Sequence, residues 1–279
     1  MHTENRIAAL RERLRAVRAA GGRLALVPTM GALHAGHLAL VDEARRHADT
    51  VVVSVFVNPL QFGPTEDFAR YPRTLEADAE ALAGYGASVL FVPSRDEMYP
   101  RGEGVTVVPS AAAAEFEGAL RPGHFTGVLT VVAKLFNIVQ PDVALFGRKD
   151  LQQLAVIRGM VVDLDFPIEI LDVQTVRESD GLALSSRNRY LDEGERGSAA
   201  VIRAALLAAK AVFESGTVSP ALIEAAGLAV LATEQSVHVD YFSVVNESDF
   251  SRPLEAQRMN SVVAAVRLGR TRLIDNIQL

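Results

Sequence analysis

The chain has 279 residues, of which 49% are apolar, and a formal net charge of −6 at pH 7; that is enough apolar material for one large or two modest domains with their own cores. It contains no cysteine, which excludes disulfides, thiolate metal sites and a cysteine nucleophile. The acidic balance argues against a broad nucleic-acid footprint. No apolar run approaches the roughly eighteen residues of a membrane span, and residues 1–20 show no apolar leader, so the expectation is a cytoplasmic protein whose partners include neither membrane nor nucleic acid.

The opening stretch alternates charged and apolar residues at helical spacing. After it, residues 24–27, 50–57, 88–92, 143–146 and 168–173 form short runs of Val, Ile, Leu and Phe without alternation, as strands buried on both faces require. Between them, residues 38–47, 74–85, 127–139 and 151–164 read as helices. This order predicts a doubly wound, parallel-sheet (Rossmann-like) α/β domain over residues 1–176, with ligands at the carboxyl ends of the strands. Beyond it, helical stretches at 193–215 and 220–233 precede strand-like runs at 239–245, 261–266 and 270–277. These predict a smaller α+β domain over 177–279, with Leu268-Gly269-Arg270 as a hairpin turn.

Polar residues with chemical potential stand where these elements end. Pro28 to His37 follows the first apolar run and opens a helix. Backbone N–H groups and the positive end of a helix dipole meet there and stabilise an anion. Gly31 and Gly36 permit tight backbone, and His34 and His37, three apart, can share one side of the first turn. Asn58 and Gln61, after the strongest apolar run, offer amides that suit a hydroxyl or carboxylate, or simply a wet proline loop. Arg121, before the helix that ends near Val139, either clamps a carboxylate or phosphate or is solvated. Gly147-Arg148-Lys149-Asp150 repeats the strand, glycine, helix-start pattern and suits nucleotide phosphates, with Asp150 alternatively a helix cap. Ser185-Ser186-Arg187, after an Asp-Gly turn, offers further donors to polyphosphate oxygens.

Taken in order, Pro28 to His37, Phe56 to Phe62, Tyr71-Pro72-Arg73, Arg121 to Phe125, Phe146 to Gln153 and Gly181 to Tyr190 resemble the pantothenate synthetase (pantoate:β-alanine ligase) family of the H-x-G-H nucleotidylyltransferase superfamily. The resemblance is collinear over nearly the whole chain. It implies an ATP-dependent, Mg²⁺-assisted condensation of pantoate with β-alanine through a pantoyl-adenylate, and a homodimer. Residue by residue, it implies that Met30, Gly31, Ala32, Leu33, His34, Ala35, Gly36 and His37 line the ATP site, with His37 as proton donor and His34 beside it on the phosphates. It further implies ATP contacts from Gly147, Arg148, Lys149, Asp150, Val176, Leu184, Ser185, Ser186 and Arg187, with His34, His37, Lys149 and Arg187 carrying the chemistry. Gln61 and Gln153 match the amides that hold pantoate, and Asn58, Tyr71 and Arg121 fall at pocket positions.

Three departures stand out. Arg148 replaces an acidic residue common in the family, so extra positive charge beside the phosphates is expected. Leu184 stands where methionine is frequent, a volume-conserving exchange. Ala77-Asp78 stands near the family's acidic pair, which leaves the protein ligands of Mg²⁺ unassigned; ATP oxygens and water can hold the ion. Residues 63–75 read as a flap that excludes water from the intermediate. Two rival readings share the motifs: an adenylyltransferase that keeps AMP in its product, and a nucleotide sensor without turnover.

Overall fold

The structure, a computed structural model, describes residues 1–64, 66–102 and 104–279. Its contacts divide the chain into two compact units, Met1–Gly147 with Val156–Val173, and Arg148–Ala155 with Gln174–Leu279.

The first unit is built on β1 (His2–Glu4), β2 (Leu24–Thr29), β3 (Thr50–Val55), β4 (Val89–Phe91), β5 (Val143–Gly147) and β6 (Glu169–Val173). They form one sheet in the order β1-β4-β3-β2-β5-β6, parallel at each pairing. The five apolar runs correspond to β2 through β6, and β2 to β5 are buried almost throughout. β1 is an addition to the sequence reading. His-Thr-Glu has no apolar pattern because it lies at the sheet edge, where pairing to β4 through the backbone suffices.

The connecting helices are α1 (Ile7–Ala19), α2 (Ala35–His47), α3 (Leu75–Gly84), the single turns α4 (Arg95–Met98) and α5 (Glu117–Leu120), α6 (His124–Val139) and α7 (Leu151–Asp163). Leu40, Val41 and Ala44 of α2 pack on Ala25, Val27, Val51, Val53 and Leu145 of the sheet. α6 is buried on nearly every face, and most of its residues are apolar. Its last carbonyls are taken by α1: Arg11 donates to Asn137 O, and Arg18 to Val139 O and Gln140 O, cations placed at the negative end of a helix. The chain runs outward from β2 through β3 to β4, then returns to β5 on the other side of β2. The strand order therefore reverses between β2 and β5, and at such a switch point the carboxyl ends of parallel strands leave a crevice for a ligand.

In the second unit β7 (Val237–Asn246), β8 (Asn260–Leu268) and β9 (Thr271–Gln278) form an antiparallel sheet in that order. The helices are α8 (Glu193–Ser198), α9 (Val201–Glu214) and α10 (Pro220–Leu231), so the first long helical stretch is two helices rather than one. Ile202, Leu206, Ile223 and Leu231 pack on Phe242, Val244, Val262 and Val266. Gly269 and Arg270 join β8 to β9 as expected; Gly269 has φ +53°, which a two-residue turn of this kind favours and glycine adopts without strain.

Candidate functional site

The turn leaving β2 is held mainly by its own residues. Thr29 Oγ1 donates to Ser54 O at 2.7 Å and accepts from Gly31 N at 3.2 Å. Gly31 and Ala32 both have positive φ, +80° and +51°, which for alanine costs about 1–2 kcal/mol. Asp78, from α3, offsets that strain. Its buried carboxylate accepts from Ala32 N at 3.0 Å, Leu33 N at 2.9 Å and Thr74 Oγ1 at 3.1 Å. The acidic residue next to the Tyr-Pro-Arg motif is thus occupied with backbone.

His34 then caps α2. Its Nδ1 accepts from Gly36 N at 3.2 Å, and His37 Nδ1 accepts from His34 N at 3.3 Å, a reciprocal cap with imidazoles in place of the usual hydroxyl and carboxylate. A ring nitrogen that accepts is unprotonated, so each neutral imidazole carries its hydrogen on Nε2. The rings lie 4.1 Å apart. Gly36 suits this cap, because a Cβ would stand 3.0 Å from the His34 ring and press on it.

After β3, Asn58 caps a 3-10 turn, Pro59–Gln61. It is buried and fully engaged: Oδ1 accepts from Tyr99 Oη at 2.9 Å, and Nδ2 donates to Gln61 Oε1 at 3.1 Å and Gly127 O at 3.0 Å. Burial pushes the Tyr99 phenol up, so it stays a donor. With Oε1 taken, Gln61 turns Nε2 toward Met30 Sδ at 3.1 Å. A thioether is a weak acceptor that a carboxylate or hydroxyl oxygen readily outcompetes. Gly127 lets α6 touch this loop, since a Cβ there would stand 2.2 Å from Leu60 O.

His124 and Arg121 finish the loop from behind. His124 Nδ1 donates to Gln61 O at 2.8 Å, and its Nε2 accepts from Arg121 Nη1 at 3.0 Å. Burial, with the Arg121 charge beside it, pushes the His124 imidazole down to about 4. Arg121 already holds a carboxylate, that of Glu66, through Nε and Nη2 at 2.7 Å each. Burial raises the Glu66 carboxyl, and Arg121 more than reverses it. Tyr71 is buried with its ring edge-on to Phe62, 5.9 Å between centroids. In the first unit, therefore, Met30, Asn58, Gln61 and Arg121 are brought together. Thr65, within the expected flap, lies outside the described residues.

In the second unit Arg148, Lys149 and Asp150 form a 3-10 turn ahead of Gln152 and Gln153 on α7. Lys149 Nζ is 3.6 Å from Asp150 Oδ1. Arg148 is buried, and its guanidinium meets Glu247 Oε1 at 2.6 Å, so a carboxylate opposes its charge. Glu247 also accepts from Ser261 Oγ at 2.5 Å. Leu184 N donates to Val176 O at 3.0 Å, which sets these two residues side by side. Ser185 Oγ accepts from Arg187 N at 3.2 Å and caps the turn Ser186–Tyr190.

Sequence reasoning misses Tyr99, Asp275 and Asn276, and it finds Asp78 only as a neighbour of a motif, without its role. Asp275 and Asn276 carry one faint signal, a polar pair inside the apolar run Leu273 to Ile277, and both are buried. Among the described residues no group of three or more His, Cys, Asp or Glu is placed to hold a metal ion, and no helix is long and apolar enough to cross a membrane.

The sequence model of one family, described as pantoate-beta-alanine ligase, matches residues 2–278. A pantothenate synthetase of Acidothermus cellulolyticus is 54% identical over 95% of this chain and 89% of its own. The crystal structure of pantothenate synthetase from Thermus thermophilus superposes with a TM-score of 0.95 at 48% identity, covering 100% of this chain and 99% of that one. A pantoate-beta-alanine ligase from Francisella tularensis, solved in complex with beta-gamma ATP and beta-alanine, gives a TM-score of 0.83 at 31% identity over 100% of this chain and 97% of that one.

Proposed function

The chain belongs to the pantoate-beta-alanine ligase family, and from that membership we propose that it joins pantoate to β-alanine at the expense of ATP, releasing AMP and pyrophosphate. A pantoate carboxylate oxygen attacks the α-phosphorus, and the bond from that phosphorus to the bridging oxygen breaks as pyrophosphate leaves. The β-alanine amine then attacks the acyl carbon of the pantoyl-adenylate, AMP departs and the amine loses a proton. No enzyme nucleophile is needed, so the protein's work is positioning and charge stabilisation.

The observation that carries this reading is the reciprocal His34–His37 cap at the carboxyl end of β2, beside the point where strand order reverses, in a chain that matches the family from end to end. In it, residues 30–37 bind ATP. His37 donates a hydrogen bond from Nε2–H to an oxygen of the leaving pyrophosphate, and His34 lies beside it on the phosphates. Gln61, with Oε1 taken by Asn58, offers Nε2–H to pantoate; Gln153 is the second pantoate amide. Asn58 and Arg121 act from behind, the one orienting Gln61 and the other tying Glu66 of the flap segment to the Gln61 carbonyl. Tyr71 packs the pantoate side. Lys149 and Arg187, with the hydroxyls of Ser185 and Ser186, stabilise phosphate charge; Gly147, Arg148 and Asp150 shape the lysine turn, and Val176 and Leu184 face the adenine.

Mg²⁺ enters as the companion of ATP. Asp78 is committed to Ala32 and Leu33, so phosphate oxygens and water would hold the ion. The reading carries with it a cytoplasmic homodimer. Incubation with ATP, Mg²⁺, pantoate and β-alanine, omitting each in turn, tests it. AMP and pantothenate should appear only with all four, whereas an adenylated product retaining AMP, or no turnover, would sink it.

A further inference from the structure

Hydrogen bonds of the second unit converge on two neighbouring residues of β9. Asn276 Nδ2 donates to Arg148 O at 2.8 Å and to Lys149 O at 3.0 Å, which uses both hydrogens of its amide. Asp275 takes Arg177 in a two-bond fork, Oδ2 from Nη1 at 2.6 Å and Oδ1 from Nη2 at 2.9 Å. The same guanidinium reaches Gly181 O at 3.0 Å and Asn276 O at 3.3 Å. Arg177 opens a loop closed by an antiparallel bridge to Ala183 and by the bonds Glu178 N to Leu182 O and Leu184 N to Val176 O. That loop delivers Ser185, Ser186 and Arg187. The lysine turn and the Ser-Ser-Arg segment therefore hang from adjacent residues, and β8 fixes their register through Ala264 opposite Asp275 and Val263 opposite Asn276.

We propose that Asp275 and Asn276 are positioning residues for adenylation: they set Lys149 and Arg187 relative to one another without either touching a reacting atom. The inference rests on the assignment of Lys149 and Arg187 to the ATP phosphates. Two segments hung one strand residue apart share a single rigid reference, about 3.3 Å of strand. A misplacement of about 1 Å at a transferring group costs on the order of a hundred-fold in rate. Asn276→Asp is the sharpest perturbation, because it keeps the shape while turning two donors into acceptors that face two carbonyl oxygens. Asp275→Asn weakens the fork and leaves the half-buried Arg177 charge without its opposing carboxylate.

The test uses full-length Asn276→Asp, Asn276→Ala and Asp275→Asn, and measures two half-reactions on each sample. One is pyrophosphate release from ATP and pantoate; the other is pantothenate formation from supplied pantoyl-adenylate and β-alanine. Their ratio cancels any difference in folded fraction. It should fall by about ten- to a hundred-fold, with KM for ATP raised and KM for pantoate unchanged. An unchanged ratio, whether both rates hold or both fall together, overturns the proposal. Lys149→Ala separates the two layers. If it lowers the ratio while the Asn276 and Asp275 variants do not, the positioning role is wrong and the phosphate assignment stands. If it too leaves the ratio unchanged, the assignment itself falls.

Discussion

Two turns leave neighbouring parallel strands, one after β2 and one after β5, and they are held in opposite ways. The first is mostly self-sufficient: Thr29, His34, Gly36 and His37 bond within nine residues of one another, with Ser54 O and the Asp78 carboxylate as partners from elsewhere. The second has little of its own. Its carbonyls go to Asn276, 128 positions beyond Arg148, and its arginine to Glu247, 99 positions further along the chain. A turn that caps itself can be recognised in a short string of sequence, whereas one tied by remote partners cannot. The two should also fail differently, the first by local melting and the second by losing its register with the Ser-Ser-Arg segment.

The largest effects sharpen this contrast. His37→Ala and Lys149→Ala should each lower the adenylation rate by about a hundred- to a thousand-fold, or about 3–4 kcal/mol of transition-state stabilisation. His37→Ala should also lower stability by about 1 kcal/mol, since it removes a helix-cap acceptor. Lys149→Ala should leave the melting temperature unchanged, as its side chain caps nothing. Equal stability losses in a thermal melt would erase the distinction between the turns, and full pyrophosphate release by either variant would remove that residue from the mechanism.

Next in size is a pH effect confined to the first unit. His124 is neutral in the fold, with its imidazole pushed down from 6.5 to about 4 by burial and by Arg121. As pH falls the unfolded chain therefore takes up this proton first. The residue's contribution is complete above about pH 6.5 and is lost progressively toward pH 4, a decline on the order of 3 kcal/mol. Urea midpoints at pH 7.5 and pH 5 should reveal it, and His124→Gln should flatten the difference. An identical slope in the variant would assign the acid lability to other groups.

Asp78→Asn probes the remote carboxylate that supports the first turn. It weakens two charge-assisted bonds to buried backbone N–H groups, a loss of about 1–3 kcal/mol, and should raise KM for ATP about tenfold while the pantoate KM holds. If Asp78 instead acts through a metal ion, raising Mg²⁺ would restore the KM; no such rescue is expected, because the carboxylate is occupied.

How much of this was legible in the sequence follows the same division. Leu24 to Val27 and the other apolar runs announced a parallel sheet, because strands buried on both faces need unbroken apolar sequence, and the hairpin at Gly269 announced itself through its turn chemistry. β1 was not legible, since an edge strand of three polar residues leaves no pattern. The break between α8 and α9 was hidden by alanines that favour helix on either side. At the candidate site the residues proposed to meet ligand stood out, as glycine, histidine and lysine at strand ends. Their supports did not. Tyr99, Asp78, Asp275 and Asn276 act through tertiary contacts across 41 to 128 positions, and no local spacing encodes those. The carboxylate partner of Arg148 was equally illegible, because Glu247 lies beyond any local window.

The smallest effect worth measuring concerns one of these supports. Tyr99→Phe removes a single hydroxyl, the donor to Asn58 Oδ1 at 2.9 Å, and keeps the ring that packs near Phe56. Asn58 Oδ1 retains only the longer bond from Leu60 N at 3.3 Å. Its amide is then less firmly held in the orientation that engages Gln61 Oε1 and turns Gln61 Nε2 outward. The net worth of one such bond is about 1 kcal/mol, so the pantoate KM should rise about fivefold. KM for ATP should not move, because the turn after β2 is braced by Asp78 and its own caps and draws nothing from Tyr99. A rise in both constants would mean that the two loops are coupled through Met30 Sδ, which joins Gln61 to that turn. Adding Met30→Leu to Tyr99→Phe would then abolish the ATP effect, since leucine offers Gln61 no acceptor.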